Sequence, residues 1–342
     1  MAWFDESRLD DEVILAAADP RLRVLAESGA RIRREAVEAE SAMAQAVAIA
    51  REQGRPRAVG AAGPDSRLLR AALEPWCPVP FVAWPNPGLP GWAGALDLVV
   101  VLAPEGGDVG TASAVAEAVR RGCRVVVACP ENSLVAQHAA GRWSTILPSS
   151  TRDQLAIAVL VLEYLDRADL GPQADHELVA DALDGVALAC SPHRDIAINP
   201  AKVLAIALAE ANPLVWGGSV LAARAARRVA ESIRRSSGRT ALAGDAEHLL
   251  PVIEAASPRN VFDDPFDEEP FELRPVLLLL DDGADDPIVR EQRGRLQAAA
   301  VEHGVRTEKV DTDAAGEMAR YASLLLSGRY VAAYLSIGLI ND

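Results

Sequence analysis

The sequence predicts an α/β protein built from two parallel-sheet lobes, and three observations carry that expectation. Residues 98–130, LVVVLAPEGGDVGTASAVAEAVRRGCRVVVACP, read as strand, glycine loop, Ala-rich helix and second strand, which is a βαβ unit with short connections. The apolar runs show no polar alternation, as expected of strands covered on both faces. A related pattern then recurs: PLVWGGSVLAARAARR at 213–228 echoes 57–72, each a strand leading through glycines and a serine into a helix.

In chain order, residues 20–52 place apolar side chains at three- and four-residue steps with alternating charges outside, which predicts a helix. Arg57-Ala58-Val59-Gly60 begins a short strand, and Ser66 is placed to cap the helix after it. The prolines of CPVPFVAWPNPGLPGW forbid a helix and suit a short strand with an extended loop. Strands follow at 97–103 and 124–129 around a helix at 111–121, with a weaker strand at Thr145-Ile146-Leu147 and an apolar helix at 152–166. After a polar stretch at 167–196 come strands at 239–243, 274–280 and 305–310 and a helix at 288–303. The expected division is 1–170 for N-terminal helices and first lobe, 171–196 for a connecting segment, and 197–342 for the second lobe. The acidic, proline-bearing stretch 258–273 reads as a long exposed loop inside that lobe.

A chain of 342 residues suits two domains. Its formal net charge of −15 argues against nucleic-acid binding and against adsorption to anionic membranes. The start, MAWFDESRLDDEV, lacks the basic and apolar regions of a signal peptide, and no apolar run reaches the ~18 residues of a membrane span. A cytoplasmic protein is expected. Cys77, Cys123, Cys129 and Cys190 show no CxxC spacing and read as reduced structural cysteines rather than disulfide or metal partners. His138, His176, His193 and His303 also lack ligand spacing, so neither metal nor cofactor is expected. In open parallel sheets ligands bind at the C-terminal strand edge, and a cleft between the lobes is the default site.

Nearly the whole chain resembles the bifunctional phosphoglucose/phosphomannose isomerases, built from two sugar-isomerase (SIS) domains of flavodoxin-like or Rossmann-like form. The resemblance runs through Gly60 to Ser66, Pro87-Gly88-Leu89-Pro90-Gly91-Trp92, Glu131-Asn132-Ser133-Leu134 and Thr151-Arg152. It continues through Asn199-Pro200-Ala201-Lys202, Pro213-Leu214-Val215-Trp216-Gly217 and the terminal SLLLSGRYVAAYLSIGLIND. It implies a homodimer and a sugar-phosphate ligand held by Ser66, Thr111, Arg152, Gly217, Gly218 and Ser219.

The phosphate loop departs from the family's. Ala103, Glu105 and Asp108, spaced around Gly106, stand where the family has hydroxyl residues, and Thr111 alone is retained. A carboxylate about 4 Å from a phosphate costs on the order of 4 kcal/mol at an effective dielectric of 20. Asp108 therefore reads as a helix N-cap and Glu105 as a solvated loop residue, against the alternative of a functional acid pair. Arg152 is either an anion ligand or a surface salt bridge.

Aldose–ketose isomerisation needs a base at carbon and an acid/base for ring opening. The family's glutamate falls on Arg235 or Ser236, neither a base, with Glu231 one turn earlier. Its histidine corresponds to His248, beside Glu247, and the alternative for His248 is packing at a helix start. The family's terminal lysine has no counterpart; Lys202 and Lys309 do not match it. The expected function is carbohydrate-derivative binding or regulation in sugar-phosphate metabolism, with impaired catalysis and an enzyme of that metabolism as a further partner. The alternative is an active isomerase interconverting fructose-6-phosphate with glucose-6-phosphate or mannose-6-phosphate, using Glu247 or Glu231 as base and His248 for ring opening.

Overall fold

The computed structural model describes residues 3–64, 66–256 and 273–340. Strand β1 (Trp3–Phe4), a 3-10 turn at Glu6–Leu9, α1 (Glu12–Ala26) and α2 (Ser28–Gln53) come first. Next are β2 (Val59–Ala62), α3 (Ser66–Leu73), β3 (Phe81–Trp84), β4 (Leu98–Leu102), α4 (Val109–Arg120) and β5 (Arg124–Cys129). They are followed by α5 (Leu134–His138), β6 (Ser144–Pro148), α6 (Gln154–Arg167) and α7 (His176–Ala189). The remainder begins with α8 (Pro200–Ala207), β7 (Ala211–Gly217), α9 (Val220–Ser237), β8 (Leu242–Ala243), α10 (Ala246–Glu254) and β9 (Arg274–Asp281). It ends with α11 (Pro287–Glu302), β10 (Arg306–Asp311), α12 (Glu317–Gly338) and β11 (Leu339–Ile340).

Two compact units result: Ser28–Asp181, and Met1–Glu27 with Ala182–Asp342. The first holds a parallel sheet in the order β3-β2-β4-β5-β6. Val99, Val101, Val125 and Val127 share one apolar cluster with Ala114, Val115 and Ala118 of α4. Every residue of α6 from Leu155 to Leu165 is buried, which accounts for an apolar helix without a polar stripe.

The second unit holds a parallel sheet in the order β10-β9-β7-β8. Its core includes Leu214, Trp216, Leu277, Leu279, Leu249 and Leu296. The first 27 residues fold with this unit rather than with the first sheet. The Asp5 N–H donates to Gly338 O at 2.9 Å and Arg8 Nε to Ile337 O at 2.8 Å, so they satisfy terminal carbonyls of α12. Arg21 adds a bond to Ala333 O at 3.0 Å.

The helix expected over 20–52 is two helices, because the chain breaks at Glu27 and α1 continues N-terminally through Pro20 to Glu12. The polar stretch 167–196 contains α7, whose Val179, Ala180 and Leu183 are buried. The strand expected at 239–243 shrinks to Leu242–Ala243, an edge strand pairing with β7 alone. The acidic stretch 258–272 lies outside the described residues.

Candidate functional site

Because all five strands of the first unit are parallel, the turns after β2, β4, β5 and β6 lie along the same sheet edge. The turn after β4 carries Ala103, Glu105, Gly106 and Asp108. Gly106 has φ +64°, and a Cβ there would stand 2.3 Å from Ser133 Cβ, so only glycine lets this turn seat against the start of α5. Asp108 is the N-cap of α4: its Oδ1 accepts the Thr111 N–H and the Thr111 hydroxyl, each at 2.6 Å. These two bonds, the hydroxyl's first, hold the Asp108 carboxyl below the usual carboxylate range. Thr111 is buried beneath the first glycine turn, where a Cβ on Gly63 would lie 3.1 Å from Thr111 Oγ1. Ser66 is the first residue of α3, and its buried hydroxyl has no hydrogen-bond partner among the described residues, so it does not cap the helix. Ala103 is buried.

The turn after β6 brings a second ligand candidate to the same edge. Arg152 has φ +54°, a left-handed conformation unusual for a residue with a side chain. Its guanidinium lies 3.7 Å from the Glu105 carboxylate, and both side chains are 70% exposed. Such a pair is worth ~1 kcal/mol or less, so an anion could displace it.

Two residues of α2 hold this turn, and sequence reasoning missed both. Glu35 is fully buried, and its Oε1 accepts from Ser149 Oγ (3.1 Å), Ser150 N (3.1 Å), Thr151 N (2.7 Å) and Thr151 Oγ1. Arg31, one helical turn earlier, donates to Asp153 Oδ2 at 2.7 Å, and Asp153 caps α6 through Leu155 N and Ala156 N. A signal was available: Glu35 lies three residues after Ile32 and four before Ala39, on the buried face of α2.

In the second unit, Gly217 ends β7, and Gly218 and Ser219 follow it. A Cβ on Gly217 would lie 2.3 Å from the Ala222 backbone, and one on Gly218 2.3 Å from Val289 Cγ1. Ser219 caps α9 by accepting the Ala222 N–H at 3.0 Å and donates its hydroxyl to Asp282, which follows β9. Asp281 beside it bonds Arg293 at 2.7 Å and Lys309 at 3.1 Å. Burial alone would raise the Asp281 carboxyl; the Gly283 N–H, Lys309 and Arg293 outweigh it and bring the group below its ordinary range.

The three catalytic candidates all lie in this unit, but each has its own setting. Glu231 is half-buried on α9 between Arg228 (2.6 Å) and Arg235 (2.8 Å). Glu247 pairs with Arg295 at 2.7 Å. His248 stands exposed in the first turn of α10, and its N–H bonds Asp245 O. Lys202 is fully buried, donating to Asp10 Oδ1 (2.6 Å), Pro192 O (3.0 Å) and Arg194 O (2.9 Å). A cavity of about 720 Å³ nearby is lined by Asp10, Glu12, Asp19 and Asp195, together with His193 and Arg194. Four carboxylates make it unsuited to a phosphate.

No helix among the described residues is long and apolar enough to cross a membrane. The four cysteines are free, three of them buried.

Comparison with solved structures finds the same fold. Tagatose-6-phosphate ketose/aldose isomerase from Escherichia coli superposes with a TM-score of 0.66 at 12% identity, over 93% of this chain and 91% of that one. A hypothetical protein from Thermus thermophilus gives 0.59 at 13% identity, over 98% and 94%. The C-terminal domain of glucosamine-fructose-6-phosphate aminotransferase from Francisella tularensis gives 0.57 at 10% identity, over 90% and 96%. A comparison with curated protein sequences finds no match. The family model that matches, the bacterial phospho-glucose isomerase C-terminal SIS domain, covers residues 197–340. Residues 197–340 are thus similar to the bacterial phospho-glucose isomerase C-terminal SIS domain, and the chain shares its α/β fold with tagatose-6-phosphate ketose/aldose isomerase.

Proposed function

We propose that this protein binds a sugar phosphate or related carbohydrate derivative in a binding or regulatory role, with impaired isomerase chemistry. The observation that carries the reading is the engagement of Glu231, half-buried between Arg228 and Arg235. A general base must present a free lone pair to the proton it abstracts, and an arginine at 2.6–2.8 Å competes for it. Arg152 supports the binding half of the reading, because Glu105 holds it only loosely at an exposed edge. The reading includes a homodimer in the cytoplasm and an enzyme of sugar-phosphate metabolism as a further partner.

The second reading is an active aldose–ketose isomerase acting on glucose-6-phosphate or mannose-6-phosphate. It is favoured by the adjacency of Glu247 and His248 in the exposed first turn of α10.

A coupled assay with fructose-6-phosphate, glucose-6-phosphate and mannose-6-phosphate, run beside thermal shift with each sugar, decides between them. The binding reading expects a thermal shift without turnover. Turnover lost on His248→Ala would replace it with the isomerase. Absence of both responses would remove the ligand from the proposal, and pull-down would then test for a protein partner. Light scattering on the purified protein tests the dimer.

A further inference from the structure

We infer that Glu35 and Arg31, one turn apart on α2, form a brace that forces Arg152 into its left-handed conformation and holds it out as an anion receptor. The inference rests on the reading of Arg152 as the anion-binding arginine. Three observations lead to it.

The first is the strain itself. A left-handed backbone brings Cβ too close to the following carbonyl, so a residue with a side chain keeps it only where its surroundings over-determine it. Arg152 is one of two non-glycine residues with positive φ among those described, and the other, Asp169, lies in the turn after α6.

The second is that both flanks of Arg152 are anchored, and both anchors come from α2. On the N-terminal side, Glu35 Oε1 gathers donors from Ser149, Ser150 and Thr151. On the C-terminal side, Arg31 holds Asp153, which is committed as the cap of α6. With 149–151 and 153 pinned, residue 152 must make the turn between them. Its side chain takes no part in the anchoring and projects to Glu105 instead.

The third is the composition of the anchor. Glu35 is fully buried, and its second oxygen, Oε2, has no hydrogen-bond partner among the described residues. A carboxylate buried with one oxygen unpartnered is a poor device for stability alone, since the lone oxygen loses its hydration without recompense. Concentrating several donors on the other oxygen makes sense if the shape of the turn is what matters. Glu35 is therefore a positioning residue that acts through Arg152.

The test is a thermal-unfolding cycle on the full chain with Arg152→Gly, Glu35→Ala and the double variant. Glu35→Gln keeps one acceptor oxygen and the side-chain volume, and it stands in if the alanine variant does not fold. Arg152→Gly should raise the melting temperature of the otherwise unchanged protein, because glycine adopts positive φ without strain. That gain should vanish in the Glu35→Ala background and shrink in the Glu35→Gln background, where the turn can relax. An equal gain in every background, or no gain in the parent, overturns the brace.

Titration with inorganic phosphate separates this outcome from the reading beneath it. Arg152→Ala and Glu35→Ala should each weaken phosphate binding by about tenfold, and the double variant by no more than either. Glu35→Gln should recover part of the loss. Coupled melting temperatures in a parent that binds no phosphate would uphold the brace and overturn the anion role of Arg152. Phosphate binding that Glu35→Ala leaves unchanged would overturn the brace alone.

Discussion

The carboxylate of Asp108 takes both protons that Thr111 can donate, its N–H and its hydroxyl, each at 2.6 Å. One residue thus occupies the start of α4 and the hydroxyl of Thr111. The negative charge that a phosphate would bring to a helix N-terminus is here built into the chain.

Asp108→Ala should therefore cost stability through the lost cap, by about 1 kcal/mol. The folded-state carboxyl lies below its ordinary value, so its contribution is full above the unfolded value of about 4 and is lost as pH falls through the folded value. Melting curves between pH 7 and pH 3 should show the gap between parent and variant closing at the acid end. A gap independent of pH would refute the assignment.

Glu105→Ser combined with Asp108→Thr places hydroxyls in this loop and frees Thr111. Glucose-6-phosphate affinity, read by calorimetry, should rise by about tenfold, since two repulsive charges are exchanged for donors at an exposed edge. A fall would instead make the two carboxylates part of whatever the loop does.

Gly217→Ala forces a Cβ to within 2.3 Å of the Ala222 backbone, which a side-chain shift cannot relieve. Chemical denaturation should report a loss of about 1–3 kcal/mol or more. Gly294→Ala, on the exposed face of α11 with nothing within 4 Å, is the control and should gain about 0.5–1 kcal/mol of helix propensity.

Lys202→Met keeps the volume but leaves Asp10 and the carbonyls of Pro192 and Arg194 without their donor. A loss on the order of 2–4 kcal/mol is expected in denaturant. An unchanged midpoint would mean that water replaces the ammonium.

The thiols give a test of burial. Cys190 is pushed up to about 12 by burial, and burial also raises Cys77, Cys123 and Cys129, so access rather than acidity separates them. Cys77 is the one that is not fully buried. A disulfide reagent at pH 8 should find one readily reacting thiol in the native protein and four after unfolding.

Much of the architecture was legible because it follows from local periodicity. The strand at 124–129 and the helix of 154–167 stand where uninterrupted apolar runs put them, since burial on both faces leaves no polar alternation to blur the boundary. Asp108 as a cap was legible for the same reason: the residue type, the glycine turn and the helix that follows are all adjacent in the chain. Helix α7 was not legible although most of its residues are apolar, because the polar segments on either side of it mask the pattern; Arg33 of α2 ties down Glu177 and Asp181 from about 145 positions away.

The sequence by itself determined the α/β class, the parallel sheets, the glycine–serine turns and the two carboxylates in the loop after β4. These depend on residue types within one turn or one strand of each other. Tertiary structure decided that the first 27 residues fold with the C-terminal unit, that Glu105 faces Arg152, and that Glu35 is a buried anchor rather than another surface charge. Ion pairs and buried hydrogen bonds join groups from dozens to more than a hundred residues apart, and which acid meets which base depends on packing that no local pattern encodes.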